Sequence, residues 1–178
     1  MRIELKAIAK LMACWLAGFV LVSTSQVLFA HGDNDYSGAA ATSTFAATAA
    51  ATDPRSVAQT FNRALAMGDA DTVLSLLHPD VLIYESGGAE TSAAEYASHH
   101  MPTDMAFLAN LKREQISHAS GGDNKNAWVA TLSRLHGRFN GADVDLSSTE
   151  TLMMVNTDAG WRITHIHWSS APDGNTQP

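Results

Sequence analysis

Cysteine is almost missing from this chain: Cys14 is the only one in 178 residues. No disulfide framework is available, so stability has to come from a packed core. Basic residues are also few, 11 Lys and Arg against 18 Asp and Glu, for a net charge of −7 at pH 7. That balance argues against nucleic acid and anionic membrane as partners. The unbroken apolar part of the N-terminal region, Leu11 to Val22, is shorter than the roughly 20 residues that a bilayer-spanning helix needs. There is no HExxH, GxSxG, P-loop or dinucleotide fingerprint, so several common kinds of metal, nucleophilic and nucleotide chemistry lack their signature.

What is present begins with an export pattern. Arg2, Lys6 and Lys10 stand against Glu4 alone, and Leu11 to Ala30 is apolar apart from Ser23, Thr24, Ser25 and Gln26. A basic start, an apolar stretch and a small residue at its end predict a signal peptide over residues 1–30, cut after Ala30. Leu28, two residues before that bond, leaves room for the cut to shift. Cys14 stands near the start of the apolar run instead of following it, which argues against lipidation. The expected location is exported, periplasmic or secreted, with no membrane attachment after cleavage. Cleavage removes Cys14, Arg2, Lys6, Lys10 and Glu4, leaving 8 basic and 17 acidic side chains and a net charge near −9.

Residues 31–53 are rich in Ala, Thr, Ser and Gly, with only Tyr36 and Phe45 as sizeable apolar groups, and they read as a flexible tether. Structure is expected from Asp53-Pro54, an N-cap acid followed by proline at the first helical position. Val57, Phe61 and Leu65 recur every four residues up to Gly68, which predicts a helix. A short second helix capped by Asp69 or Asp71 should end at Pro79. Val81 to Ser86 reads as a strand closed by Gly87-Gly88, and residues 92–111 read as helix broken or kinked at Pro102. Strands are expected over 112–119, 127–139, 144–156 and 161–169, separated by Gly- and Asn-rich turns. The fold class is α+β: N-terminal helices packed on one face of a curved antiparallel sheet, over residues 54–170, with a disordered tail at 171–178.

The opening helix SVAQTFNRALAMGD, the phrase HPDVLIYESGG and the closing strand GWRITHIHWSS resemble the nuclear transport factor 2-like superfamily. Its cone-shaped, cystatin-like fold includes SnoaL-type polyketide cyclases and ketosteroid isomerases. The resemblance implies a conical cavity between sheet and helices. It also implies a general base at Glu85, because the ketosteroid isomerase aspartate follows a phrase much like HPDVLIYE. That family's tyrosine and protonated acid have no clear counterpart here: Tyr84 faces away from Glu85, and Tyr96 lies on a helix.

Strict alternation along the last strand puts Trp161, Ile163, His165 and His167 on one face, taken as the cavity face, and Arg162, Thr164, Ile166 and Trp168 on the other. Ile83 and Glu85 share a face of the earlier strand. A carboxyl in an apolar cavity has a raised pKa, as a general base requires, although a role in holding the Gly87-Gly88 loop competes with this reading. Glu95 with His99 and Tyr96 with His100 form pairs four apart. Glu150 shares its face with Leu152 and Met154, while Trp128 shares one with Leu132 and His136 and is read as core. All eight histidines follow the signal.

Three functional readings stay open. The first is a binder of a small, largely apolar molecule in a pocket of Ile83, Glu85, Tyr96, His100, Glu150, Trp161, Ile163, His165 and His167, with no reaction assigned. The second is an isomerase- or cyclase-type enzyme with Glu85 as base and His167 as acid. The third is a periplasmic copper or zinc protein using His99, His100, His165 and His167, joined by His31 if cleavage makes it the N-terminus. Trp168, Ile166 and Phe139 are expected to form an exposed patch favouring a homodimer.

Overall fold

The computed structural model describes residues 53–173. The signal peptide, Cys14, His31, nearly all of the tether and the end of the tail lie outside the described residues. Among the described residues, no helix is long and apolar enough to cross a membrane.

Helix α1 (Pro54–Met67) starts as its sequence demands. The Asp53 carboxylate accepts from the backbone N–H groups of Arg55 and Ser56, and Gly68 ends the helix in the left-handed conformation at φ 70°, where glycine carries no Cβ penalty. Asp69 caps α2 (Ala70–Leu76). Strand β1 (Leu77–Glu85) begins earlier than its β-branched run suggests, and its pairing is irregular between Leu77 and Leu82, around Pro79. A two-residue turn then leads into β2 (Gly88–Glu90). Ser86 and Gly87 both have positive φ, 51° and 86°, the pattern of a tight hairpin whose twist matches its strands.

Pro102 does not kink a long helix. Helix α3 (Ala93–Ser98) ends at His99, and Pro102 sits in the first turn of α4 (Met101–Leu108), where its missing N–H costs nothing. Strands β3 (Leu111–Gly122), β4 (Asn126–Phe139), β5 (Ala142–Thr157) and β6 (Gly160–Pro172) follow as an antiparallel meander. The sheet order is β2-β1-β6-β5-β4-β3. The sheet is mixed, not wholly antiparallel, because β1 runs parallel to β6; the chain between them, carrying β2, the two helices and β3–β5, easily exceeds the connection length that parallel pairing requires.

The core forms between one sheet face and the helices. Phe61 and Val73 are fully buried, as are Leu152, Ile163 and Ile166 from the strands. Burying a side chain of the size of Phe61 contributes about 3 kcal/mol.

Strand β6 departs from strict alternation. Opposite β5, Met154 pairs with Ile163 but Met153 pairs with His165, so Thr164 is an extra residue, a β-bulge. One inserted residue moves every later side chain to the opposite face. Trp161 and Ile163 point inward before the bulge, and Ile166 and Trp168 point inward after it. His165 and His167 therefore lie on the outer face, beside the Tyr84 ring at centroid distances of 5.4 and 6.5 Å. The expected placement of these histidines in the cavity is corrected by this bulge.

The expected dimer patch is corrected for the same reason. Ile166 is fully buried and Trp168 stacks on Phe61, while Phe139 packs edge-on against Phe107. The large apolar side chains of the outer face are Tyr84, Trp128 and Met153 instead. Trp128, read as core, is 40% exposed, because Ala127, Val129 and Thr131 take the inner positions of β4.

Candidate functional site

The β1–β2 hairpin sets two carboxyls on the inner face. Glu90 is opposite Ile83 and Gly88 is opposite Glu85, so Glu85 and Glu90 lie on the same side as buried Ile83. The helical segment beyond the hairpin completes the cluster. Tyr96 on α3, with no exposed surface, donates its phenolic O–H to Asp104 Oδ2 on α4 at 2.9 Å. His100, between the two helices and more than half exposed, pairs through Nδ1 with the buried Glu90 carboxylate.

These groups perturb one another strongly. Burial raises the Glu85 pKa, the His100 charge pulls it down and the Glu90 charge pushes it up; the net direction is up. Asp104 is pushed up to about 7, first by burial and then by the negative charge of Glu85, despite the Tyr96 hydrogen bond. Burial, then the charge and hydrogen bond of Asp104, raise the Tyr96 phenol far above its ordinary value, so it stays protonated. Burial works against a charged His100, but its hydrogen bond and charge interaction with Glu90 outweigh that and leave its pKa raised. The cluster thus contains a partly buried carboxyl able to accept a proton and, beside it, a carboxyl that is half protonated near neutral pH.

A second buried carboxyl faces the same interior. Glu150, 2% exposed, accepts from Trp168 Nε1 at 2.8 Å, Asn62 Nδ2 at 2.9 Å and Arg113 Nη2 at 3.3 Å. Every donor that compensates its burial is a side chain. Trp168 joins this group to the acid cluster, its ring centroid 6.2 Å from that of Tyr96. A cavity of about 220 Å3 opens between α1 and β3–β4, and no member of the acid cluster lines it.

Of the residues singled out from sequence, Ile83, Glu85, Tyr96, Glu150, Trp161 and Ile163 lie on the inner side, and His100 reaches Glu90 there. His165 and His167 do not join them. His167 therefore does not meet Glu85 as its acid partner, and His165 and His167 do not converge with His99 and His100 on a metal. Among the described residues, no group of three or more His, Cys, Asp or Glu side chains is arranged to hold a metal ion. Glu95 accepts from the backbone and side chain of Thr91, at the start of α3 instead of in a site. Asp104, Glu90, Arg113 and Asn62 are not singled out by the sequence, and Trp168 is expected from it on the outer face, not beside Glu150. Glu90 had a usable signal, two residues beyond the Gly-Gly turn and so in phase with Glu85 in a hairpin.

Residues 55–173 match the family model of the SnoaL-like domain. The chain belongs to the SnoaL-like domain family. Among solved structures, this SnoaL-like chain is similar to a Shewanella frigidimarina protein named as a candidate ketosteroid isomerase. The two are 38% identical with a TM-score of 0.62, over 64% of this chain and 91% of that one. An NTF2-like protein with a cystatin-like fold from Novosphingobium aromaticivorans shares 18% identity, TM-score 0.56, over 68% and 81%. The hub of the calcium/calmodulin-dependent kinase CaMKII of S. rosetta shares 21%, TM-score 0.53, over 65% and 92%. The last two establish likeness of fold alone. No curated protein matches the sequence.

Proposed function

We propose that this SnoaL-like domain is an exported protein that binds a small, largely apolar carbonyl compound and moves a proton on it. The observation that carries the reading is the unequal carboxyl pair: Asp104 raised to about 7 with the Glu85 charge among the causes. An ionised Glu85 keeps Asp104 protonated, which supplies a base and an acid at the same pH. In the reaction we assign, the Glu85 carboxylate takes a proton from the carbon next to the carbonyl. The C–H electron pair becomes the carbon–carbon double bond of an enol, and the Asp104 O–H donates to the carbonyl oxygen. In a β,γ-unsaturated carbonyl compound the enol is a dienol: Glu85 returns the proton to the γ-carbon, the dienol electrons re-form the carbonyl and leave a conjugated double bond, and the hydroxyl proton goes back to Asp104, so the compound is isomerised. Tyr96 is a positioning residue: by donating to Oδ2, it leaves Oδ1 of Asp104 to carry the proton toward the substrate. The 38% identical relative named for ketosteroid isomerase supports this class of reaction.

Deuterium exchange at the α-carbon of small cyclic β,γ-unsaturated ketones, followed by NMR, tests it. Glu85→Gln should slow exchange by about 10²-fold or more with thermal stability retained. Equal exchange by wild type and variant would reject Glu85 as the base. Export rests on the basic and apolar pattern of residues 1–30, and N-terminal sequencing of protein recovered from outside the cytoplasm should find the chain starting near His31.

A further inference from the structure

The interior is divided by charge. Carboxyls gather where β1, β2, α3 and α4 meet, but the cavity of about 220 Å3 between α1 and β3–β4 has no carboxylate on its wall; it is lined by Arg55, Arg113 and His118, with Gln59, Gln115 and Asn62 among them. In a chain with only 11 Lys and Arg and a net charge of −7, two arginines on one small cavity is a concentration of positive charge.

The donors there are partly held and partly free. Ser120 Oγ fixes Arg55 Nε at 2.8 Å; among the described residues, the two terminal nitrogens of Arg55 carry no hydrogen bond. Arg113 is held by Asn62, Glu150 and Ser133, which anchors its charge beside the cavity. Gln115 lies 3.1 Å from His118 Nδ1. With the amide nitrogen donating to Nδ1, the ring proton sits on Nε2 and is available to a ligand. Buried Ala58 and Val129 supply an apolar wall.

We propose that this cavity binds a small monocarboxylic acid as its carboxylate, independently of the proton-transfer cluster. The free edge of Arg55 offers two parallel N–H donors, the geometry that matches the two oxygens of a carboxylate, and the ligand's short apolar body lies on Ala58 and Val129. A dianion such as phosphate fits less well. Glu150 offsets Arg113, and Asp53 interacts electrostatically with Arg55, so the cavity has no excess positive charge to hold a dianion, and a monocarboxylate is held by the two aligned Arg55 N–H donors.

Isothermal titration of the purified full chain with benzoate, its neutral isostere benzamide and inorganic phosphate tests the proposal. Benzoate should bind while benzamide and phosphate bind at least about tenfold more weakly, the factor expected for loss of one charge-assisted contact. Arg55→Gln, which alters an exposed side chain at the first helical turn, should weaken benzoate by a similar factor while preserving the unfolding temperature of the free protein. Glu85→Gln should leave benzoate affinity unchanged, separating this site from the proton-transfer cluster. The proposal is overturned by absence of benzoate binding, by equal affinity for benzamide or phosphate, by retention of full affinity in Arg55→Gln, or by loss of affinity in Glu85→Gln.

Discussion

Replacing Asp104 with asparagine should make the domain more stable in mild alkali and leave it nearly unchanged in acid. The carboxyl has a pKa of about 7 in the folded chain against 3.8 when unperturbed, so the folded state binds the proton more tightly than the unfolded one. The stability due to that proton is complete below about pH 4, declines as the pH climbs, and is gone once the pH passes the folded value near 7. At ~1.36 kcal/mol per pH unit, the ceiling on the effect is about 4 kcal/mol. Asp104 keeps some solvent contact, which screens the interaction, so about 2 kcal/mol is the expected difference. Asparagine cannot ionise, yet its Oδ1 can still accept from Tyr96. Urea unfolding of wild type and Asp104→Asn at pH 4.5, 6 and 8 measures the effect, and the variant should gain about 2 kcal/mol over wild type between the lowest and highest pH. Differencing the two proteins cancels the titration of groups they share. A gap that stays constant with pH would refute the argument that burial and Glu85 hold Asp104 protonated.

Two further changes probe the packing that supports the site. Trp168→Phe keeps the stacking on Phe61 but removes a donor from buried Glu150, and should cost about 1–3 kcal/mol by denaturant titration; a neutral result would mean that Glu150 is adequately satisfied by Asn62 and Arg113. Deleting Thr164 removes the bulge and joins Ile163 to His165, and plain alternation then still turns Ile163, Ile166 and Trp168 inward and His165 and His167 outward. The deletion should cost only about 1 kcal/mol by urea unfolding, whereas a loss of several kcal/mol would show that the core depends on the twist the bulge introduces.

The parts of this molecule that periodicity governs could be read from sequence. The α1 stripe of Val57, Phe61 and Leu65 and the flanking Asp53 and Gly68 fix a helix locally, and Asn140-Gly141 fixes a hairpin turn whose residues both take positive φ. The face that Glu85 shares with Val81 and Ile83 is legible because the three follow an unbroken alternation. What was missed depends on contacts made far away in the chain. Strand β2 is three residues long and exists only as the partner of β1. Asp104 sits beyond a helix break, and its distinctive environment arises from Tyr96 and Glu85, neither adjacent in sequence. Nothing near Thr164 marks it as a bulge; the burial of Ile166 and Trp168 against Phe61 and Leu152 decides it.

That bulge bears on how relatives of this chain are compared. Within a strand, a one-residue gap is usually treated as a small local edit, to be slid into the nearest turn. Here such a shift would superimpose a core tryptophan on a surface histidine and exchange interior for exterior over the rest of β6. A relative with the same string of letters in an unbulged strand would turn His165 and His167 inward and present the opposite chemistry to its ligand. Homologues should therefore be aligned on their pairing with β5 before any histidine in this strand is given a role.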